Sequence, residues 1–220
     1  MLESIEKSRN RRMSKKENNA LRVTDTKHES VIRCIHKANP HGHILIFDIT
    51  CWAVTMHPDG SLYVADWKEN EVRQWKKGET NGTVIIDGSG RDNQFAQFDS
   101  PAYLFVDNDH NLYVSDRHNH RMMKWLQGMR DGVLVATGNG SEECLIHLYY
   151  PERLMLNHHG QKYVAVCANR QVTQWCDGTR EGLIAIACKD TQLQANQLNH
   201  PISLSFDEDG DVHVAEWRSH

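Results

Sequence analysis

Fourteen histidines and six cysteines among 220 residues supply ligands enough for a metal centre, so their spacing decides what chemistry they can do. A catalytic zinc needs ~3 convergent His or carboxylate ligands. The cysteines, Cys34, Cys51, Cys144, Cys167, Cys176 and Cys188, contain no Cys-x-x-Cys pair, and their expected role is that of reduced thiols packed as small hydrophobes. Cys167 and Cys176 flank one hairpin, but pairing across it sets Cys176 opposite Lys162, so no disulfide is expected there. The histidines His57, His110, His158, His159 and His200 fall in turns and termini, and His41 and His43 with nearby His36 read as a polar loop. No G-x-S-x-G elbow and no Gly-rich loop ending in Lys-Ser/Thr is present. These spacings point to no catalytic residue, no metal and no cofactor.

The elements that carry these residues are set by a tandem repeat. HPDGSLYVADW (57–67), DNDHNLYVSDR (107–117), NHHGQKYVAVC (157–167) and DEDGDVHVAEW (207–217) align at a constant offset of fifty. The same offset relates Trp75, Trp125 and Trp175, then Gly82, Gly132 and Gly182, then Pro101, Pro151 and Pro201. Within a unit the hydrophobic period is two. WAVTM, SLYVA, EVRQW and TVIID are four short strands joined by polar turns, which predicts the blades of a β-propeller. Pro58-Asp59-Gly60 suits a tight hairpin, and Asp66 and Asp116 sit where a short carboxylate can accept N–H groups of the next turn. The three tryptophans close the third strands and offer large apolar faces for packing between blades.

The second unit, with Pro101, Leu104, Asp107, Leu112-Tyr113-Val114-Ser115-Asp116, Asn119-His120-Arg121 and Trp125, resembles the NHL repeat. The first keeps Gly60, Leu62-Tyr63-Val64-Ala65-Asp66 and Trp75, but has Cys51 for the proline and Glu69-Asn70-Glu71 for the tripeptide. The third departs further, with Val166 for the Asp and Asn169-Arg170-Gln171. The resemblance implies an all-β propeller of four-stranded blades. Here about three complete blades are expected (51–100, 101–150, 151–200), with partial blades at both ends: 201–220, and a stray outermost strand at 31–35. Enzymes that resemble NHL propellers hold zinc or calcium in a central channel lined by first strands. Here those strands, WAVTM, AYLFV, ERLML and ISLSF, hold no His or Asp, and Glu152 and Arg153 are expected to pair with each other.

The expected function is therefore a non-enzymatic binding scaffold, with a protein as partner. Trp67, Arg117 and Trp217 share one repeat position, and His118 and Arg170 fall in the same connections, so these five residues form the candidate binding rim. Single-stranded RNA is the second reading, since some NHL propellers bind it and the rim carries arginine and aromatic side chains. A metal-dependent lyase or hydrolase in the channel is the third. The whole chain carries a net charge of −4, yet residues 1–30 hold eight Lys/Arg against five Asp/Glu and read as a basic disordered tail before a propeller segment at 31–220. No apolar run approaches the ~18–20 residues of a membrane span, and the N-terminus has no signal-like apolar stretch. A cytoplasmic chain is expected, with nuclear import through the basic block as the alternative. An unclosed ring would leave apolar blade faces uncovered, and self-association is the expected consequence.

Overall fold

The computed structural model describes residues 11–17, 20–25, 27–35, 39–88, 98–129, 131–137, 148–176, 182–187 and 198–217. These residues form β-strands and turns and no helix. Strands β1 (Arg11–Glu17), β2 (Ala20–Asp25), β3 (Ser30–Ile35) and β4 (Asn39–Phe47) make one antiparallel sheet in sequence order. The next contains β5 (Cys51–Met56), β6 (Leu62–Asp66), β7 (Glu71–Trp75) and β8 (Thr83–Asp87). A third contains β9 (Pro101–Val106), β10 (Leu112–Asp116), β11 (Arg121–Trp125) and β12 (Val133–Thr137), and a fourth β13 (Pro151–Leu156), β14 (Lys162–Val166), β15 (Gln171–Trp175) and β16 (Leu183–Ala187). A two-stranded sheet of β17 (Pro201–Phe206) and β18 (Val212–Glu216) follows. Four-stranded antiparallel sheets in sequential order are propeller blades, and the fold is an incomplete β-propeller.

The N-terminal expectations need correction. The stretch read as a disordered basic tail contains β1 and β2. Residues 31–35 lie in the third strand of the sheet, paired on both sides, and the outermost strand is β4. His41 and His43 lie on β4 rather than in a loop. This first blade was hidden because it breaks the repeat spacing. Asp25 corresponds to Asp66 at a separation of 41 residues rather than fifty, and β1, RRMSKKE, has only one hydrophobic residue.

The blades share a local logic at each reversal. Between second and third strands the chain turns through a residue in the left-handed region: Glu29 (φ 46°), Asn70 (φ 55°), His120 (φ 53°) and Arg170 (φ 54°). The aspartate that ends the second strand ties this turn. Asp66 Oδ1 accepts the Lys68 and Glu69 N–H groups at 3.1 and 3.3 Å, together with the Thr50 hydroxyl. Asp25 accepts the His28 N–H in the same way, at 3.3 Å. In the third sheet Asp116 accepts Asn119 Nδ2 and Arg121 Nε, the latter at 2.6 Å. Asn119 and Arg121 of the Asn-His-Arg tripeptide thus brace the turn.

The chain forms two compact units, Met1–Leu112 with Leu126–Asp131 and Tyr113–Trp125 with Gly132–His220. In the first unit β1 packs alongside β5 as β5 packs alongside β9. Its core includes Val31, Ile46, Cys51, Met56, Val64 and Trp75, all buried. Burial pushes the Cys51 thiol up to about 11, which leaves it protonated and inert at neutral pH. In the second unit β13 packs alongside β17, and Ala165, Val172 and Leu204 are buried with Met155, Tyr163 and Ile186 against them.

The repeated tryptophans and glycines explain each other. A Cβ on Gly82 would stand 2.4 Å from Trp75 Cε2, one on Gly132 2.6 Å from Trp125 Cζ2, and one on Gly182 2.5 Å from Trp175 Cε2. Each indole lies against a backbone with no room for a methyl group. Replacing Gly132 or Gly182 by Ala is expected to displace an indole that is 3% or 1% exposed and to cost about 1–3 kcal/mol. Chemical denaturation of the two variants against the wild type measures it. By contrast, Gly128→Ala meets no atom within 4 Å, and only its φ of +78° opposes the change.

Candidate functional site

The rim proposed from sequence lies on the turns that follow the second strands. In three of these turns a backbone hydrogen bond holds the chain against the residue before the inner strand. Trp67 N–H donates to Thr50 O (3.2 Å), Cys167 N–H to Tyr150 O (3.3 Å) and Trp217 N–H to His200 O (3.1 Å). This anchoring fixes the chain while leaving the side chain outside. Trp67 is 44% exposed and Trp217 62% exposed. Trp67 belongs to the first unit, and Arg117, His118, Arg170 and Trp217 to the second.

Within the second unit two of these residues meet in one cluster. Arg117 Nε donates to Glu152 Oε1 at 2.9 Å, and its guanidinium carbon lies 4.8 Å from the centroid of the Tyr150 ring. Arg117 Nη1 is 3.4 Å from His118 Nε2, and His118 meets Tyr150 edge-on. His120 packs edge-on against both Tyr149 and Tyr150, with centroids 5.3 and 5.0 Å apart. Its Nδ1 accepts the Tyr150 N–H at 3.2 Å, so that nitrogen carries no proton. Burial, aided by the charges of His118 and Arg117, pushes the His120 pKa down. Arg170 stands at the left-handed position of its own turn, its N–H on Cys167 O, and is exposed.

The structure corrects one expectation here. Glu152 pairs with Arg117, not with its neighbour, and Arg153 Nη1 donates to Ser203 Oγ at 3.0 Å. Adjacent residues on a strand point to opposite faces, which separates the 152 and 153 side chains. Sequence reasoning also missed Tyr149, Tyr150 and His120. The tyrosine pair immediately before Pro151 was the available signal, because Pro151 opens the inner strand β13 and so places both rings beside the turn that carries Arg117.

The cluster has a recognisable chemistry. A guanidinium stacked on a tyrosine and held by a buried carboxylate keeps its plane fixed, and its terminal N–H groups suit carboxylate or phosphate oxygens. Tyr149 and Tyr150 are 48% and 39% exposed, so apolar ring surface lies beside that cation. Among the described residues one set of three metal-ligating side chains converges, His57, Asp59 and His110, and it lies on hairpin turns rather than on inner strands. His36 and His41 lie outside the residues whose side chains are described.

Comparison with known proteins supports the fold. No family model matches the chain, and no curated protein matches it. Among solved structures it is similar to a streptogramin B lyase, with TM-score 0.66 and 11% identity over 93% of this chain and 61% of that one. It is similar to an auxiliary nutrient-binding protein from Bacteroides thetaiotaomicron, with TM-score 0.69 and 12% identity over 87% of this chain and 52% of that one. A chain of a nidogen/laminin complex matches with TM-score 0.56 and 15% identity over 74% of this chain and 57% of that one. This chain therefore spans less than two thirds of the length of each. Enzymes and binding proteins both occur among these neighbours, and likeness at such identities establishes the propeller architecture alone.

Two outcomes follow from the cluster. Arg117→Ala removes the guanidinium from a Glu152 side chain that is 4% exposed, and a loss of about 1.5–3 kcal/mol in denaturant unfolding is expected, with Glu152→Gln partly restoring it. Because the folded His120 pKa is lowered, the folded state holds its proton less tightly than the unfolded chain. Its stabilising contribution is therefore present above the unfolded histidine value of about 6.5 and is lost as pH falls through the folded pKa. A histidine NMR titration in which His120 protonates at or above that value contradicts this.

Proposed function

We propose that the chain is an NHL-type propeller segment that acts as a non-enzymatic binding scaffold, with a protein partner engaged by the rim around Arg117 and Tyr150. The observation that carries this reading is the exposed Arg117–Tyr150–Tyr149 cluster. Arginine and tyrosine are enriched in binding hot spots, tyrosine because its rigid ring offers a large contact area with a polar end, and arginine because its planar guanidinium both stacks and pairs. The cluster is braced by Glu152 and His120, so little ordering remains to be done on binding. Arg170 and Trp217, on equivalent turns of the same unit, are the further contacts of this reading, and Trp67 holds the corresponding position on a turn of the first unit. The described inner strands β5, β9, β13 and β17 contain no His or Asp, which weighs against the lyase or hydrolase reading.

Single-stranded RNA is the second reading, favoured by the same exposed tyrosines beside an arginine, on which bases can stack. Its weakness is charge. The chain is net negative, and DEDGD at 207–211 sits on a turn of the second unit.

One experiment separates them. Photo-crosslinking from position 149 in the full chain, followed by identification of the attached molecules, is expected to yield a protein adduct that Arg117→Ala with Tyr150→Ala abolishes. Adducts unchanged in that double variant contradict the rim assignment. Binding of a labelled oligouridine that weakens steeply with salt, at a slope of about −0.7 per phosphate contact, supports RNA instead.

A further inference from the structure

In a tandem array a residue that recurs serves the blade, and a residue that breaks the pattern is free to serve something else. Two such departures meet in the first unit. The hairpin between first and second strands opens with Asp107, Asn157 or Asp207 in the later sheets, and His57 takes that place in the β5–β6 hairpin. Asp107, Asn157 and Asp207 each accept two N–H groups of their own turn. The hairpin closes with Gly60, Gly160 or Gly210, at φ of 94°, 75° and 89°, and His110 takes that place in the β9–β10 hairpin at φ 61°. A side chain in the left-handed region costs about 1–2 kcal/mol that glycine avoids, and nothing about the turn itself demands a histidine.

The two odd residues come together. The His57 and His110 rings lie with centroids 3.5 Å apart at 31°, and Asp59 faces both. His57 Nδ1 is 3.0 Å from Asp59 Oδ1, and His110 Nε2 is 3.6 Å from Asp59 Oδ2. The far side of each ring is already engaged. His57 Nε2 is 3.2 Å from Asn108 O, and His110 Nδ1 is 3.1 Å from Tyr63 Oη, which also accepts Gln74 Nε2 at 2.9 Å. The Asp59 N–H lies 3.3 Å from His57 Nδ1, on the side of the ring opposite the Asn108 carbonyl. The 3.0 Å approach of His57 Nδ1 to a carboxylate oxygen places a shared cation between them, a proton in the metal-free chain or a metal ion in its stead.

We propose that His57 Nδ1, His110 Nε2 and the Asp59 carboxylate bind a divalent transition-metal ion of the zinc class, which staples the β5–β6 hairpin to the β9–β10 hairpin. The donor set is that of a borderline-soft ion, two imidazoles and one carboxylate. An outer oxygen on each imidazole fixes the ring and raises the basicity of the nitrogen facing the metal. A tetrahedral ion with bonds of ~2.05 Å sets its ligand atoms about 3.3 Å apart. The two His–Asp separations bracket that value, and all ligand atoms lie within 4.8 Å of one another. The Asp59 side chain is 46% exposed, so the ion keeps a solvent-facing position for water or an exogenous ligand.

The test uses the full chain freed of metal by chelation and titrated with Zn2+ against a chromophoric competitor. Uptake of one equivalent at this site is expected, with a higher Tm, and Co2+ in place of Zn2+ is expected to give the intense visible bands of a low-coordinate site. His110→Gly restores the residue of the other hairpins, so it retains the fold, and Asp59→Asn still accepts the Ser61 N–H. Each is expected to weaken this Zn2+ uptake at least tenfold and to abolish the Co2+ bands, with the far-UV spectrum of the apo protein unchanged. Zn2+ bound equally well by both variants places the ion elsewhere and overturns the proposal. So does the absence of uptake up to about 100 µM free Zn2+, or an NMR spectrum in which a shared proton between His57 and Asp59 persists at saturating Zn2+.

Discussion

The constraint on which the rest of the structure depends is the reversal between the second and third strand of each blade. The second and third strands of each of these blades are joined by only four residues. That turn forces one residue into left-handed geometry at Glu29, Asn70, His120 and Arg170. Each such residue costs about 1–2 kcal/mol, and the reversal is stable because hydrogen bonds offset that cost. Asp25 and Asp66 offset it with backbone N–H groups, and Asp116 with the side chains of Asn119 and Arg121. Since the strained residue and its neighbours must face outward, the same turn exposes the side chains proposed as the binding rim.

Packing between strands follows from this. Once third and fourth strands are brought side by side, a tryptophan at the end of one lies over a glycine at the start of the other, and the indole is buried. The outermost strands gain little further cover. Val133, Leu134, Leu183 and Ile184 remain between 39% and 65% exposed. The cores therefore lie toward the inner strands, where Val31, Cys51 and Val64 in one unit and Ala165 and Val172 in the other are fully buried. The clusters of interacting polar and aromatic side chains described above accordingly draw most of their members from the turns.

The Arg117 cluster shows how such a turn assembles a distinctive surface without changing its backbone. The turn positions the arginine, but a carboxylate from an inner strand orients it and a tyrosine from the preceding connection flattens it. The three side chains come from separate segments, and none of them alone marks a site. Likewise, His57 and His110 belong to different hairpins and to different positions of the repeat, and the departure of each from the pattern is what distinguishes them.

Much of this was written in the chain order. The fifty-residue spacing and the two-residue period specified the strands of the later blades, because a blade is a local structure whose contacts are mostly between sequence neighbours. The aspartates at strand ends were legible for the same reason, whereas the contact of each tryptophan with the glycine of its own blade was not, because those indoles were expected to pack between blades. The first blade was not. Its separation from the next is 41 residues, and the charged β1 lacks the apolar alternation that announces a strand, so only pairing with β2 reveals it. The rim positions were legible as repeat positions, but the Arg117–Glu152 pair was assigned to the wrong partner, because side chains adjacent in sequence diverge on a strand. The meeting of His57 with His110 required tertiary structure. Contacts between blades join residues about fifty positions apart with no shared pattern, and only the packing of β5 beside β9 brings their turns within reach of one ion.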